Sequence, residues 1–135
     1  HSKDWPYLIE NCAREEVAYL PWSPLAGGAL SGKYLNDQRP KGSRWSFSQR
    51  QGLFRNTAMS QQAIARYVEL AAAHNMTPSQ LALVWCDQVE GVTSTIIGAT
   101  TMPQLKENID AFAMSLSEQA KADINLALKE FAVPF

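Results

Sequence analysis

Two short runs of strand-forming residues, Val17-Ala18-Tyr19-Leu20 and Val92 to Ile97, alternate with helix-forming stretches, and this order constrains the chain more than any other feature. The first run is apolar throughout, as in a strand covered on both faces, and Pro21 and Pro24 end it. The second is rich in β-branched residues and stops at Gly98. Helical periodicity fills the intervals. Trp5, Leu8, Ile9 and Cys12 recur behind Asp4, a good N-cap, so the spacing predicts an amphipathic helix over 4–15. Ile64, Tyr67, Val68 and Ala71 mark a second helix. Thr77-Pro78-Ser79-Gln80 opens a third with a capping-box pattern and Pro in the first turn; Leu81, Val84 and Trp85 form its apolar face, and Gly91 breaks it. Thr101-Met102-Pro103-Gln104 repeats the capping box ahead of a face made by Leu105, Asn108, Ile109 and Phe112. Ser117 caps a last helix whose stripe is Ile124, Ala127, Leu128 and Phe131, stopped near Pro134.

Helix, strand, long loop, two helices, strand, helix, helix is the alternation of parallel βα units, which makes the fold class α/β. Two strands do not make a sheet. A closed (β/α)8 barrel takes about 250 residues, so a chain of this length supplies only a quarter of its strands plus appended helices. Residues 1–135 read as one unit, without internal repeat or linker, and a hydrophobic content of 46% is ample for a core. A formal net charge of −1 provides no basic field for nucleic acid or an anionic membrane. No apolar run approaches the roughly 20 residues that span a bilayer, and a cytoplasmic location is expected. Cys12 and Cys86 form no CxxC pair and have no neighbouring His, which disfavours a disulfide framework or a zinc site; both are expected to be reduced and buried as small hydrophobes.

The stretch from Ala26 to Ser60 is rich in Gly, Ser, Gln and Arg, so regular structure should not run far in it. Within residues 36–60, Arg39, Lys41, Arg44, Arg50 and Arg55 stand against a single acid, Asp37, and an anion is the expected neighbour. Strand C-termini are where α/β proteins gather ligands, and each predicted strand end carries a suggestive string. After the first comes Trp22-Ser23-Pro24-Leu25-Ala26-Gly27-Gly28-Ala29-Leu30-Ser31-Gly32-Lys33-Tyr34. Its glycines permit close approach of backbone to a ligand, and Ser23, Lys33 and free N–H groups can surround phosphate oxygens, although a Gly-rich turn after a strand is more often only a turn. After the second comes Gly98-Ala99-Thr100-Thr101, then Gln104, Glu107 and Asn108. A glycine followed by hydroxyls at a helix start directs donors toward one point, and the later side chains can bond a ribose or adenine edge; the plain reading is a well-capped helix with a solvated face.

Taken together, the two strings resemble the C-terminal part of the aldo-keto reductases, especially the branch that includes the potassium-channel β subunits. The resemblance runs from Trp5 to Leu128 and is most specific at Trp22 to Gly28 with Gly32-Lys33-Tyr34, and at Ile97 to Thr101 with Gln104 to Ile109. It implies the closing part of a (β/α)8 barrel, the last two strands plus helices, and NADP(H) as cofactor. By that resemblance Trp22 packs on the nicotinamide ring, and Ser23, Pro24, Leu25, Ala26 and Gly27 line the pyrophosphate. Lys33 adds positive charge there, and Arg44 faces the adenosine 2′-phosphate, for which its planar fork is suited. Gly98, Thr100, Gln104, Glu107 and Asn108 match the positions that grip the adenosine end. Many relatives carry a Lys-Ser pair and an Arg in this second stretch; this sequence instead has Gly98-Ala99-Thr100 and Gln104, as in the channel-subunit branch, which leaves Arg44 as chief 2′-phosphate ligand.

The family's catalytic Asp, Tyr, Lys and His belong to the first four strands, so the resemblance places them upstream of residue 1 and assigns no catalytic residue here. Lys33, Tyr34, His74 and Asp87 are not those residues; His74, closing a helix with Asn75, suits a C-terminal dipole role. The implied function is reduction of aldehydes or ketones by hydride transfer from NADPH, with this portion alone inactive. Its partners are a small carbonyl substrate and the N-terminal part of the same barrel; the oligomeric state stays open, with self-association through exposed strand edges expected only if these 135 residues stood alone. Two other readings are a non-catalytic NADP(H)-binding subunit that senses redox state or docks a partner, and a small helical interaction module without cofactor. The last predicts that Arg44→Ala and Gly98→Ala leave binding unchanged.

Overall fold

The computed structural model describes residues 5–47 and 56–132. A π-helical turn, Trp5–Ile9, runs into α1, Glu10–Arg14. Two 3-10 turns, Ala26–Ser31 and Leu35–Asp37, lead to a one-turn helix α2, Arg44–Phe47. The longer helices are α3, Ala58–Ala73, α4, Pro78–Asp87, α5, Met102–Ala111, and α6, Glu118–Glu130. The expected caps at Asp4 and Pro134 and the cations Arg50 and Arg55 lie outside the described residues.

Capping chemistry accounts for where the long helices start. Thr77 Oγ1 accepts the Gln80 N–H at 3.1 Å while Gln80 Oε1 accepts the Thr77 N–H at 2.9 Å, the reciprocal box expected there, with Pro78 in the first turn. Ser117 Oγ accepts the Ala120 N–H at 3.1 Å as expected, and Thr57 and Ser60 close a further box ahead of α3. Each cap is worth about 1 kcal/mol. The box expected at Thr101 closes on one side only. Thr101 Oγ1 accepts the Gln104 N–H at 3.4 Å, but Gln104 Oε1 turns to the N–H and hydroxyl of Thr100, at 3.0 and 3.1 Å.

The main core lies among α3 to α6. Leu70 and Ala71 of α3 meet Leu81, Leu83 and Val84 of α4, Ala111 of α5, Leu116, and Ala120, Ile124 and Ala127 of α6. A second, smaller cluster joins Ala29, Tyr34 and Trp45 to Ile64 of α3. The expected apolar faces of α3, α4 and α6 are therefore the buried ones. Two faces differ. In α5, Ile109 is 59% exposed and Asn108 is buried, because the packed side includes Asn108 and Ala111. Among the described side chains at the chain start, Tyr7 and Leu8 are exposed and Ile9 is buried, against Gly91, since the π turn rotates the face away from straight α-helical spacing. Cys12 and Cys86 are partly exposed rather than buried.

The two predicted strands are extended segments joined by one isolated parallel bridge, Trp22 to Ile96, and no strand is formed among the described residues. Backbone pairing runs through Thr93 N–H to Tyr19 C=O and Ile96 N–H to Pro21 C=O, both at 2.9 Å. Pro21 has no N–H to donate, and the Tyr19 N–H goes to the Thr93 side chain at 3.1 Å, so a regular ladder cannot propagate. The parallel direction expected of βα units is present; among the described residues the sheet is not.

Candidate functional site

Parallel pairing at Trp22 and Ile96 makes the two segments leave the bridge in the same direction, so Ser23 onward and Ile97 onward emerge side by side. Both Leu25 and Ile97 pack on the main core, which fixes the roots of the two strings. Trp22 itself is 75% exposed, an indole presented to solvent at the mouth of this pair.

Beyond Trp22 the backbone is unusual. Ser23 and Ala26 both hold left-handed φ values, 57° and 50°, without being glycine, and Gly27 and Gly28 continue in the same region. Left-handed conformations at non-glycine residues cost on the order of 1–3 kcal/mol each and recur at ligand clamps. The turn is held by Ala26 N–H to Ser23 C=O and Gly28 N–H to Leu25 C=O, both 2.8 Å, and by the Ser31 hydroxyl on Gly28 C=O at 2.8 Å. Buried Ala29 and Tyr34 nail its far end to α3. A Cβ on Gly32 would stand 2.9 Å from Val68 Cγ2, so the loop rests directly on that helix.

Lys33 runs past Gly28, and its Nζ lies 5.2 Å from the centroid of the Tyr34 ring. Tyr34 stacks on Trp45 at 4.1 Å with an interplanar angle of 2°, and Arg44, exposed, is the residue immediately before Trp45. Lys33 thus lies over one buried tyrosine, and Arg44 is next in the chain to the tryptophan stacked on that tyrosine. Pro24 and Gly27 are half-buried within the same turn.

On the second string, Gly98 is exposed and a Cβ there would meet nothing within 4 Å. Thr100 and Gln104 are exposed and bonded to each other as described above, so the Thr100 N–H and hydroxyl are turned inward to Gln104 rather than free. Glu107 Oε1 accepts the Thr77 hydroxyl at 2.6 Å, tying α5 to the start of α4, and Asn108 is 3% exposed. The structure therefore gathers Trp22, Ser23, Gly98 and Thr100 at one end of the paired segments, while Glu107 and Asn108 are engaged with the helices.

His74 follows α3 as its C-cap, as expected, and also has a partner that local sequence did not reveal. Its Nε2 lies 2.9 Å from Asp123 Oδ2 on α6. A hydrogen bond from Gln119, then the one with His74, holds the Asp123 carboxyl below the usual carboxylate range. Burial pushes the Cys86 thiol up, and its Sγ accepts the Thr95 hydroxyl at 3.7 Å. Among the described residues no cluster of His, Cys, Asp and Glu could hold a metal ion, and no helix is long and apolar enough to cross a membrane. Sequence reasoning also passed over the Tyr34–Trp45 stack, whose only local trace was aromatic residues inside a polar loop.

The family model for the aldo/keto reductase family matches residues 4–129. This chain belongs to the aldo/keto reductase family. Among curated aldo/keto reductase relatives, protein tas of Escherichia coli K12 is 38% identical over 127 residues, covering 94% of this chain and 36% of that protein. A probable voltage-gated potassium channel subunit beta of Arabidopsis thaliana is 34% identical over 97 residues, covering 70% of this chain and 30% of that protein. A putative voltage-gated potassium channel subunit beta of Schizosaccharomyces pombe is 39% identical over 94 residues, covering 67% of this chain and 27% of that protein. The chain thus spans about a third of the length of the relatives it matches. Membership of the aldo/keto reductases implies a (β/α)8 barrel; the described residues are helical, with one isolated parallel bridge and no strand.

Proposed function

We propose that this chain is the cofactor-binding, C-terminal part of an oxidoreductase that reduces aldehydes or ketones to alcohols with NADP(H). The observation that carries this reading is the parallel Trp22–Ile96 bridge, because it sets two strings from distant parts of the sequence side by side at one end. The bound nucleotide would supply the hydride. The chain's own work is to bind and orient it. Trp22, 75% exposed, offers a flat face for the nicotinamide ring. The left-handed turn through Ser23, Pro24, Leu25, Ala26 and Gly27 presents backbone to the pyrophosphate, and Lys33 balances its charge. Arg44 pairs with oxygens of the 2′-phosphate. Gly98 gives open backbone beside Thr100 and Gln104 for the adenosine end; Glu107 and Asn108 serve there as support, through the Thr77 bond and through burial.

Proton donation to the carbonyl oxygen then falls to groups on the N-terminal part of the barrel, and the small carbonyl substrate enters between the two parts. The exposure of Val17, Leu20 and Ile96, at 57%, 48% and 51%, supports this portion packing against further protein.

Titration of the full-length protein with NADPH and NADH, followed by tryptophan fluorescence, tests the reading. Gly98→Ala is the sharpest variant, because a methyl there touches nothing of the protein. Weakened NADPH binding with unchanged unfolding would report on the ligand alone. Unchanged affinity in both Gly98→Ala and Arg44→Ala would defeat the proposal.

A further inference from the structure

We infer that Trp45 is a positioning residue for nucleotide selectivity, holding Arg44 through its stack on Tyr34 so that NADP(H) is preferred over NAD(H). The inference rests on the reading of Arg44 as the 2′-phosphate ligand and adds how a loop residue is held in place. Arg44 begins a helix of a single turn in a stretch with little regular structure, where an exposed side chain has no framework of its own. The residue after it supplies one. Trp45 is 2% exposed and lies flat on Tyr34, which is fully buried. The Trp45 N–H also donates to the Tyr34 hydroxyl at 3.4 Å, pinning the backbone beside Arg44 as well as the ring.

Tyr34 is in turn fixed from several sides. Its C=O accepts from Gln61 Nε2 on α3 at 3.2 Å, and its ring packs with Ile64 of that helix. The path from α3 to Arg44 is therefore Gln61 and Ile64, then Tyr34, then Trp45. The indole N–H of Trp45 is buried without a hydrogen-bond partner among the described residues. Packing alone would be served by a phenylalanine, which carries no such unmet group; the larger ring gives wider overlap with Tyr34 and so a firmer hold on the backbone. Lys33 leans on the same Tyr34 ring, but the pyrophosphate it faces is common to both nucleotides, so its displacement changes both affinities alike. The NADP+/NAD+ affinity ratio isolates the Arg44 arm.

The test measures dissociation constants for NADP+ and NAD+ on full-length wild type, Arg44→Ala, Trp45→Leu, the double variant and Tyr34→Phe. Arg44→Ala is expected to weaken NADP+ by about tenfold or more with NAD+ unchanged. Trp45→Leu is expected to weaken NADP+ by roughly three- to tenfold with NAD+ unchanged, and to add nothing once Arg44 is gone. Tyr34→Phe keeps the stack and removes only the hydroxyl, so it should fold and lower the ratio by about twofold; it carries the test if Trp45→Leu does not fold. An unchanged ratio in Trp45→Leu, or in Tyr34→Phe where that variant stands in, overturns the inference when Arg44→Ala still collapses the ratio. Equal weakening of both nucleotides by Trp45→Leu overturns it too, as plain loss of structure. An unchanged ratio in Arg44→Ala itself removes the 2′-phosphate reading, and the inference falls with it.

Discussion

Replacing Gly32 with alanine separates two physical costs that the structure superimposes at one position. Gly32 has φ of 78°, and a Cβ placed there stands 2.9 Å from Val68 Cγ2 on α3. The left-handed conformation of an L-residue costs about 1–2 kcal/mol. The contact adds to this, because Val68 is packed against the buried Tyr34 cluster and a β-branched side chain on a helix has essentially one χ1 well to occupy. Overpacking of that kind costs typically 1–3 kcal/mol. Gly32→Ala should therefore destabilise by about 2–5 kcal/mol, read as a drop in the urea midpoint at unchanged m-value. In a Val68→Ala background the contact vanishes and only the conformational part remains, so the two substitutions should couple favourably by about 1–3 kcal/mol. Gly98→Ala is the internal control: its φ is not left-handed and its Cβ meets nothing within 4 Å, so its effect should stay within about 0.5 kcal/mol. Additive losses in the Gly32/Val68 cycle would refute the contact argument, and a Gly32→Ala loss no larger than that of Gly98→Ala would refute both halves.

Acid unfolding should depend on Asp123. Its folded-state pKa is depressed, so its contribution is fully present above the ordinary carboxylate value and is lost as pH falls through the lowered one; Asp123→Asn should flatten the acid limb of a stability–pH curve. An acid limb identical to wild type would show that the Gln119 and His74 bonds contribute nothing there. Thr77→Ala removes both the α4 cap and the hydroxyl bound to Glu107, and should cost about 1–2 kcal/mol in chemical denaturation. Thr77→Ser should recover most of it, and failure to do so would point to the methyl group instead of the hydroxyl.

Much of this architecture was legible because its signals are local. The caps at Thr77 and Ser117 and the faces of α3, α4 and α6 follow from residue type and spacing, which act within a turn or two of chain; the parallel direction of the two extended segments follows from their alternation with helices. The strings at Trp22 to Tyr34 and Gly98 to Asn108 were legible as candidates for the same reason. What they do to one another was not. Ile109 sits at a helical spacing that predicts burial, yet faces solvent, since the choice of packed side depends on which helix arrives from elsewhere. The turn of Gln104 toward Thr100 instead of Thr101 is a choice between two acceptable local bonds that sequence cannot rank.

By itself, then, the sequence determined the order of the long helices, where most of them begin, the two glycine-bearing strings and the family to which the chain belongs. Only the tertiary structure decided that those strings lie side by side, that Ser23 and Ala26 take left-handed backbone, and that Tyr34 carries both Lys33 and Trp45. Capping and periodicity are set by neighbours a few residues away, whereas a parallel bridge or an aromatic stack joins groups whose approach depends on how the whole core between them is packed.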